Sequence, residues 1–305
     1  MLSNYFFKMF FQKSKIFFLF FFITKFIFAD AQNNLPEKYK SLGTIYIFQI
    51  RNGAFPDPKR ADGHIYNNKI YSAKEHYNDS SVLVFVPKNY HWSNQPDLII
   101  HFHGWNNHID SLVGTYKLIE QFSAANKNAL LIIPQGPKDA PDSFGGKLEA
   151  PDGLKKFVSE VLDSVSKKEN KNLYRPGKII ISEHSGGYRV MAFILLQGGL
   201  TKNIKEVWLF DGLYGHLEKF AVWLQNKNVR FVNIYTKDGG TFDTSKELER
   251  DLTAWKIPFW SGDENALTDE ILKRNKIISV FTPVEHNETL YKTDFFRRLV
   301  RASKN

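Results

Sequence analysis

The chain has 305 residues, 43% of them hydrophobic, and 41 basic residues against 32 acidic ones, for a formal net charge of +9. That length suits one large or two small domains, each with its own core. The absence of cysteine excludes disulfides, thiolate zinc sites and a cysteine nucleophile, and the scattered basic residues, with no arginine-rich block or aromatic-basic ladder, argue against nucleic acid as a partner.

The amino terminus reads as a targeting segment. Lys8, Lys13 and Lys15 form a basic region. Residues 16–28 are phenylalanine-rich and apolar, broken only by Thr24 and Lys25, and Ala29-Asp30-Ala31 follows as a small-x-small cleavage pattern. The apolar run is shorter than the roughly 20 residues that span a bilayer. Residues 1–31 are therefore expected to be a signal peptide cleaved after Ala31. Residues 32–305 are expected to be one exported catalytic domain, periplasmic or secreted, with membrane contact only through that peptide.

Beyond a polar leader over 33–41, strand-like and helix-like stretches alternate. Runs rich in Ile, Val, Leu and Phe lie at 44–50, 82–87, 98–102, 130–134, 178–181, 207–210, 231–235 and 277–281. Several are apolar at every position, as strands covered on both faces are. Segments 112–125, 154–168, 188–197, 217–225, 245–255 and 294–300 carry apolar residues at three- and four-residue spacing, the mark of helices with one buried stripe. Asp152-Gly153 and Thr244-Ser245 are expected helix starts. This pattern predicts an α/β domain with a mostly parallel eight-stranded sheet and helices on both faces. The first two strands have no helix between them, so the sheet is expected to begin antiparallel. The Pro-, Asp- and Gly-rich stretch 135–146 is expected to be a long loop at a strand carboxyl end, where crevices form in open α/β sheets.

The chemistry concentrates at strand ends. Ile180-Ile181-Ser182-Glu183-His184-Ser185-Gly186-Gly187-Tyr188 joins an apolar strand to a helix through a serine and two glycines. This is the pattern of a nucleophile elbow, the sharp turn that lifts a serine hydroxyl above a sheet. A serine hydroxyl needs a base to take its proton and amide donors nearby, and Gly186 supplies one amide. A plain helix cap on an ordinary β-α turn is the rival reading for Ser185. Ile100-His101-Phe102-His103-Gly104-Trp105 closes the third strand, and the Trp105 amide is the candidate second donor for a developing oxyanion. His101, His103 and His108 also allow a metal site, since residues two apart share one strand face; no carboxylate-histidine signature accompanies them, and no metal is expected. His286 follows the last strand, which is where the base belongs. The acid is Asp211, in Leu209-Phe210-Asp211-Gly212, or Asp238, in Thr236-Lys237-Asp238-Gly239. Both keep the Ser, Asp, His order, and the ordered setting of Asp211 favours it.

These residues resemble the α/β-hydrolase superfamily. His103-Gly104-Trp105, Pro134-Gln135-Gly136, His184-Ser185-Gly186-Gly187-Tyr188, Asp211 and His286-Asn287-Glu288 occur in that family's order across nearly the whole chain after residue 31. The Pro-Gln-Gly segment is similar to one in secreted bacterial esterases of the polyhydroxybutyrate-depolymerase and feruloyl-esterase kind. The resemblance implies a single α/β-hydrolase domain and a serine hydrolase that cleaves an ester or amide through an acyl-enzyme. It implies a small-molecule or polymer ester as the partner and no cofactor. One position departs from the pattern: Glu183 stands two before the serine, where the family keeps a small residue. Its carboxylate is expected either to point into the cleft or to loosen the turn. The alternative function is a non-catalytic binding module on the same fold, with Trp92, Trp105 and Tyr188 lining a ligand cleft.

Overall fold

The computed structural model describes residues 35–226 and 228–303; the segment 1–31, expected to be a signal peptide, lies outside them. The chain divides into two compact units, 1–41 and 42–305. The described part of the first holds the short helix Leu35–Tyr39.

Among the described residues the second unit contains eleven strands: β1 (Gly43–Gln49), β2 (His64–Tyr66), β3 (Lys69–Tyr71), β4 (Ser81–Pro87), β5 (Leu98–Phe102), β6 (Leu130–Pro134), β7 (Ile179–His184), β8 (Ile204–Phe210), β9 (Arg230–Tyr235), β10 (Trp260–Asp263) and β11 (Ile277–Phe281). Nine of them form one sheet in the order β1-β4-β6-β5-β7-β8-β9-β11-β10, and β2 and β3 form a separate hairpin. Pairing is antiparallel at β1/β4 and β4/β6 and parallel from β6 to β10. All eight predicted strands are present, and the sheet does begin antiparallel. The ninth, β10, is an edge strand of sequence Trp-Ser-Gly-Asp with alternating exposure, too short and polar to carry a strand signal of its own.

Both faces of the sheet are covered, which explains the runs that are apolar at every position. In β8, Val207 and Leu209 join the core cluster that contains Leu154, Phe157, Met191 and Phe220, from helices Gly153–Glu169, Tyr188–Gln197 and Leu217–Leu224. Their neighbours Trp208 and Phe210 face the other way, with ring centroids 6.2 and 6.3 Å from Phe296 of the carboxyl-terminal helix Phe295–Ala302. Phe296 is fully buried, so its truncation to alanine costs about 3–5 kcal/mol.

Two helices differ from expectation. The stretch predicted at 112–125 is split into Ile109–Gly114 and Leu118–Ala124, because Lys117 between them has φ +52° and interrupts the right-handed path. The next-to-last long helix starts at Phe242, behind Thr241 as its cap, rather than at Thr244-Ser245.

The parallel strands all point their carboxyl ends to one edge. His103–Trp105 follows β5, the 135–146 loop follows β6, Ser185 follows β7, Asp211 follows β8, Thr236 follows β9 and His286 lies beyond β11. Open α/β sheets place their ligand crevice at this edge.

Candidate active site

Ser185 begins a single 3₁₀ turn, Ser185–Gly187, between β7 and the helix Tyr188–Gln197. Its φ is +58°, a left-handed value that costs a non-glycine residue about 1–3 kcal/mol and persists only where surrounding structure enforces it. The enforcement is visible. A Cβ on Gly104 would stand 2.6 Å from Ser185 Cβ and 3.1 Å from the Gly186 nitrogen. The segment after β5 therefore lies directly against the elbow, with no space for any side chain at Gly104. This contact brings the main chain of Gly104-Trp105 and that of Gly186 to the same end of one cleft.

The cleft holds about 390 Å³ and is lined by Trp105, Asn106, Asn107, Ser143, His184, Ser185, Gly186, Tyr188, Tyr214, His286 and Asn287. Trp105 Nε1 donates to Ser143 Oγ at 2.7 Å, joining the loop after β5 to the long loop after β6. Of the aromatics expected along a cleft, Trp105 and Tyr188 line it. Trp92 does not; it packs against Tyr90.

His286 stands in the 3₁₀ turn His286–Glu288. Its Nδ1 lies 2.6 Å from Asp211 Oδ2. An ionised carboxylate only accepts, so Nδ1 carries the proton and Nε2 is left as the basic nitrogen. Asp211 is fully buried. Burial by itself pushes its carboxyl upward, but the bonds from His286, Thr241 and Thr236 outweigh it and hold the group below its ordinary value. Thr236 gives its main-chain N–H at 3.1 Å and its hydroxyl at 2.7 Å, and the Thr241 hydroxyl adds a further bond. The other carboxylate considered from sequence, Asp238, is exposed in the turn after β9. It is Asp211 that meets His286.

His103 is a buried structural tie. Nδ1 donates to the Gly104 carbonyl oxygen at 2.8 Å, and Nε2 accepts from the Gly136 N–H and from Gln135 Nε2, both at 2.9 Å. Burial first, against the Gly104 carbonyl's opposing pull, lowers it to about 4; the neutral form is the one whose Nε2 can accept. This residue couples the His-Gly-Trp motif to the Pro-Gln-Gly motif. The three histidines weighed as metal ligands are separately engaged. His101 Nδ1 lies 2.9 Å from Ser182 Oγ, and His108 Nδ1 lies 2.7 Å from Asp139. Among the described residues no three metal-ligating side chains converge.

Glu183 takes neither expected course. It is fully buried, does not line the cleft, and the elbow above it remains tight. It shares the strand face of Ile179 and Ile181, beneath the sheet, and its carboxyl lies against Gly212, where a Cβ would collide with it. Neither oxygen makes a hydrogen bond of good geometry. Burial foremost, then the charge of Asp211, hold this carboxyl well above the ordinary range, with the Phe210 main chain offsetting only part of the effect. These surroundings favour the neutral form of Glu183.

Sequence reasoning passed over His184, Thr236, Thr241 and Tyr214. The Tyr214 hydroxyl donates to the Gly239 carbonyl oxygen and sits beside the Ser185 hydroxyl. Only His184 had a signal available, namely its place next to the serine.

No family model and no curated protein matches the chain. Solved structures do. The fold is similar to that of a serine-to-alanine mutant of the feruloyl esterase module from Clostridium thermocellum complexed with sinapinate, with a TM-score of 0.52 at 9% identity over 86% of this chain and 88% of that one. Similar too are a fluorophosphonate-binding serine hydrolase of Staphylococcus aureus (TM-score 0.46, 11% identity, 86% and 100% covered) and an S-formylglutathione hydrolase from Agrobacterium tumefaciens (0.43, 13%, 84% and 92%). At 9% identity the likeness to the feruloyl esterase module carries the fold alone. With the strand order above, the chain has the α/β-hydrolase fold.

Proposed function

We propose that the protein is a serine hydrolase that cleaves a carboxylic ester, or an amide, through an acyl-enzyme. The observation that carries this reading is the 2.6 Å contact of His286 Nδ1 with the buried Asp211, at a cleft that also holds a serine with φ +58°. Ser185 Oγ attacks the acyl carbon while His286 Nε2 takes its proton, and Asp211 fixes the tautomer and stabilises the imidazolium. The amides of Trp105 and Gly186 hold the oxyanion. Such a donor is worth about 10²–10³-fold in rate. His286 returns the proton to the leaving alcohol or amine. Water, deprotonated by the same nitrogen, then attacks the acyl-enzyme and restores Ser185. The substrate is a small-molecule or polymer ester, and the 1–31 leader sends the protein out of the cytoplasm. The alternative of a binding module drew on the departure at Glu183, and a carboxyl outside the cleft lends it no support.

A fluorophosphonate probe tests the reading. Wild type is expected to label at Ser185 and Ser185→Ala to remain unlabelled with an unchanged melting temperature. Folded wild type that never labels at Ser185 refutes it.

A further inference from the structure

His184 closes β7 immediately before Ser185, and it is 1% exposed. Its ring lies against that of His286, centroids 4.8 Å apart and planes inclined by 31°. Its Nε2 is 3.2 Å from the main-chain oxygen of His286. A carbonyl oxygen only accepts, so Nε2 carries the proton. Nδ1 is buried and has no hydrogen-bonding partner. The titratable groups acting on the ring are His286, Asp211, His103 and His101, with the Tyr116 ring 5.6 Å away. Burial foremost, and then His286, lower His184 to about 3.

These contacts act at two places on one neighbour. The hydrogen bond grips the backbone of the turn that carries His286, not its imidazole. Because His184 and Ser185 are consecutive, that bond sets the serine-to-base spacing through a single peptide. The ring contact fixes the plane of the His286 imidazole. It also gives that imidazole a neutral aromatic face when the ring becomes cationic, an arrangement that is favourable where water is excluded. A ring bond made by Asp211 alone leaves the imidazole free to pivot about that bond; the His184 ring removes this freedom.

We propose that His184 is a positioning residue for the hydrolytic step, clamping the main chain of His286 and stacking on its ring. The proposal rests on the Ser185, His286 and Asp211 roles above. It assigns His184 two separable duties, a donor and a ring face.

Three variants separate them. His184→Gln keeps a donor at the Nε2 position and loses the ring; His184→Phe keeps a ring and loses the donor; His184→Leu loses both. Turnover of p-nitrophenyl acetate and its pH profile are the readouts, with melting temperature as the check on folding. Leu is expected to lower kcat by about 10–100-fold, and Gln and Phe by about 3–10-fold each, the sizes of one hydrogen bond and one ring contact. KM should stay within about twofold, because His184 acts through His286 rather than on bound ester. Leu and Gln should also move the acid limb of kcat/KM to lower pH, since both remove the face that favours the imidazolium, whereas Phe should leave it in place. A purely structural role would not move that limb selectively. If Leu fails to fold, the Gln and Phe variants carry the test. The proposal is overturned if all three match wild type, or if all three lose activity equally with the acid limb unmoved, which would mean packing alone. Wild type that labels at Ser185 with an indifferent His184 series overturns this inference only; wild type that does not label overturns the serine-hydrolase reading with it.

Discussion

Two carboxyl groups, Asp211 after β8 and Glu183 near the end of β7, are both fully buried, yet their surroundings drive them to opposite charge states. Asp211 receives bonds from His286, from the Thr236 main chain and from the hydroxyls of Thr236 and Thr241, and stays ionised. Glu183 has only the Phe210 main chain to offset its burial, and its surroundings favour the protonated form. Burial alone raises a carboxyl, and the outcome turns on whether donors are arranged to meet it. Their proximity makes the outcomes dependent on each other, because the charge of Asp211 is itself a reason for Glu183 to remain neutral. One site thus contains an acid built to hold charge and, beside it, an acid that cannot afford to.

The harshest way to break the contrast is to remove the charge that the donors hold. Asp211→Asn leaves the shape nearly unchanged but allows the amide to donate to Nδ1, which favours the wrong imidazole tautomer. We expect kcat to fall by about 10⁴-fold with folding retained. Asp238→Asn, at an exposed turn residue, is the control and should leave kcat unchanged. Steady-state turnover of an activated ester compares the two. Equal losses would reassign the acid.

A milder intervention keeps the carboxylate and removes a donor. Thr241→Val deletes one hydroxyl bond to Asp211 at nearly constant volume. Hydrogen bonds to charged groups are worth about 1.5–3 kcal/mol, so chemical denaturation at neutral pH should show a loss of that size. The sign with pH follows from the direction of the Asp211 shift. Its folded value lies below its ordinary 3.8, so its stabilising contribution is present above that pH and is lost as pH falls through the folded value. Weakening the donor set raises the folded value toward the ordinary one. The penalty for Thr241→Val should therefore shrink on acidification. A pH-independent penalty would mean that the hydroxyl matters for packing and not for holding the charge.

The difference between these acids also marks what was legible in the sequence. Ser185 and His286 could be proposed as nucleophile and base because those roles have positions in a fixed strand order, and apolar runs such as Leu130–Pro134 and Ile277–Phe281 reveal strands covered on both faces. Choosing between Asp211 and Asp238 needed more. The deciding groups, Thr236 and Thr241, lie 25 and 30 residues away from Asp211 in sequence, and nothing local marks them as its donors. Glu183 was readable in part. Strand parity puts it on the face of Ile179 and Ile181, away from the cleft. Its protonation was not readable, because that depends on burial against the segment after β8 and on the charge of Asp211 there. β10 escaped because an edge strand of four residues containing Gly and Asp has too little pattern to detect.

The gentlest test swaps the neutral acid for its neutral isostere. Glu183→Gln should leave kcat nearly unchanged, since the group does not line the cleft. Its effect should appear in how stability depends on pH. The folded protein keeps a proton on Glu183 well above 4.5, whereas the unfolded chain releases it near that pH. Between the two values the folded state binds more protons than the unfolded state, so wild-type stability declines with rising pH on account of this residue. Glutamine has no proton to release and removes that decline. The two proteins share every other titrating group, so their difference isolates Glu183. Measured from about pH 4 to about pH 8, the melting temperature of the variant relative to wild type should climb steadily as pH rises. The climb should stop only where Glu183 itself ionises in the folded protein. A flat difference would mean that Glu183 titrates as it does in the unfolded chain, and then the elbow of this hydrolase fold would hold two negative charges side by side.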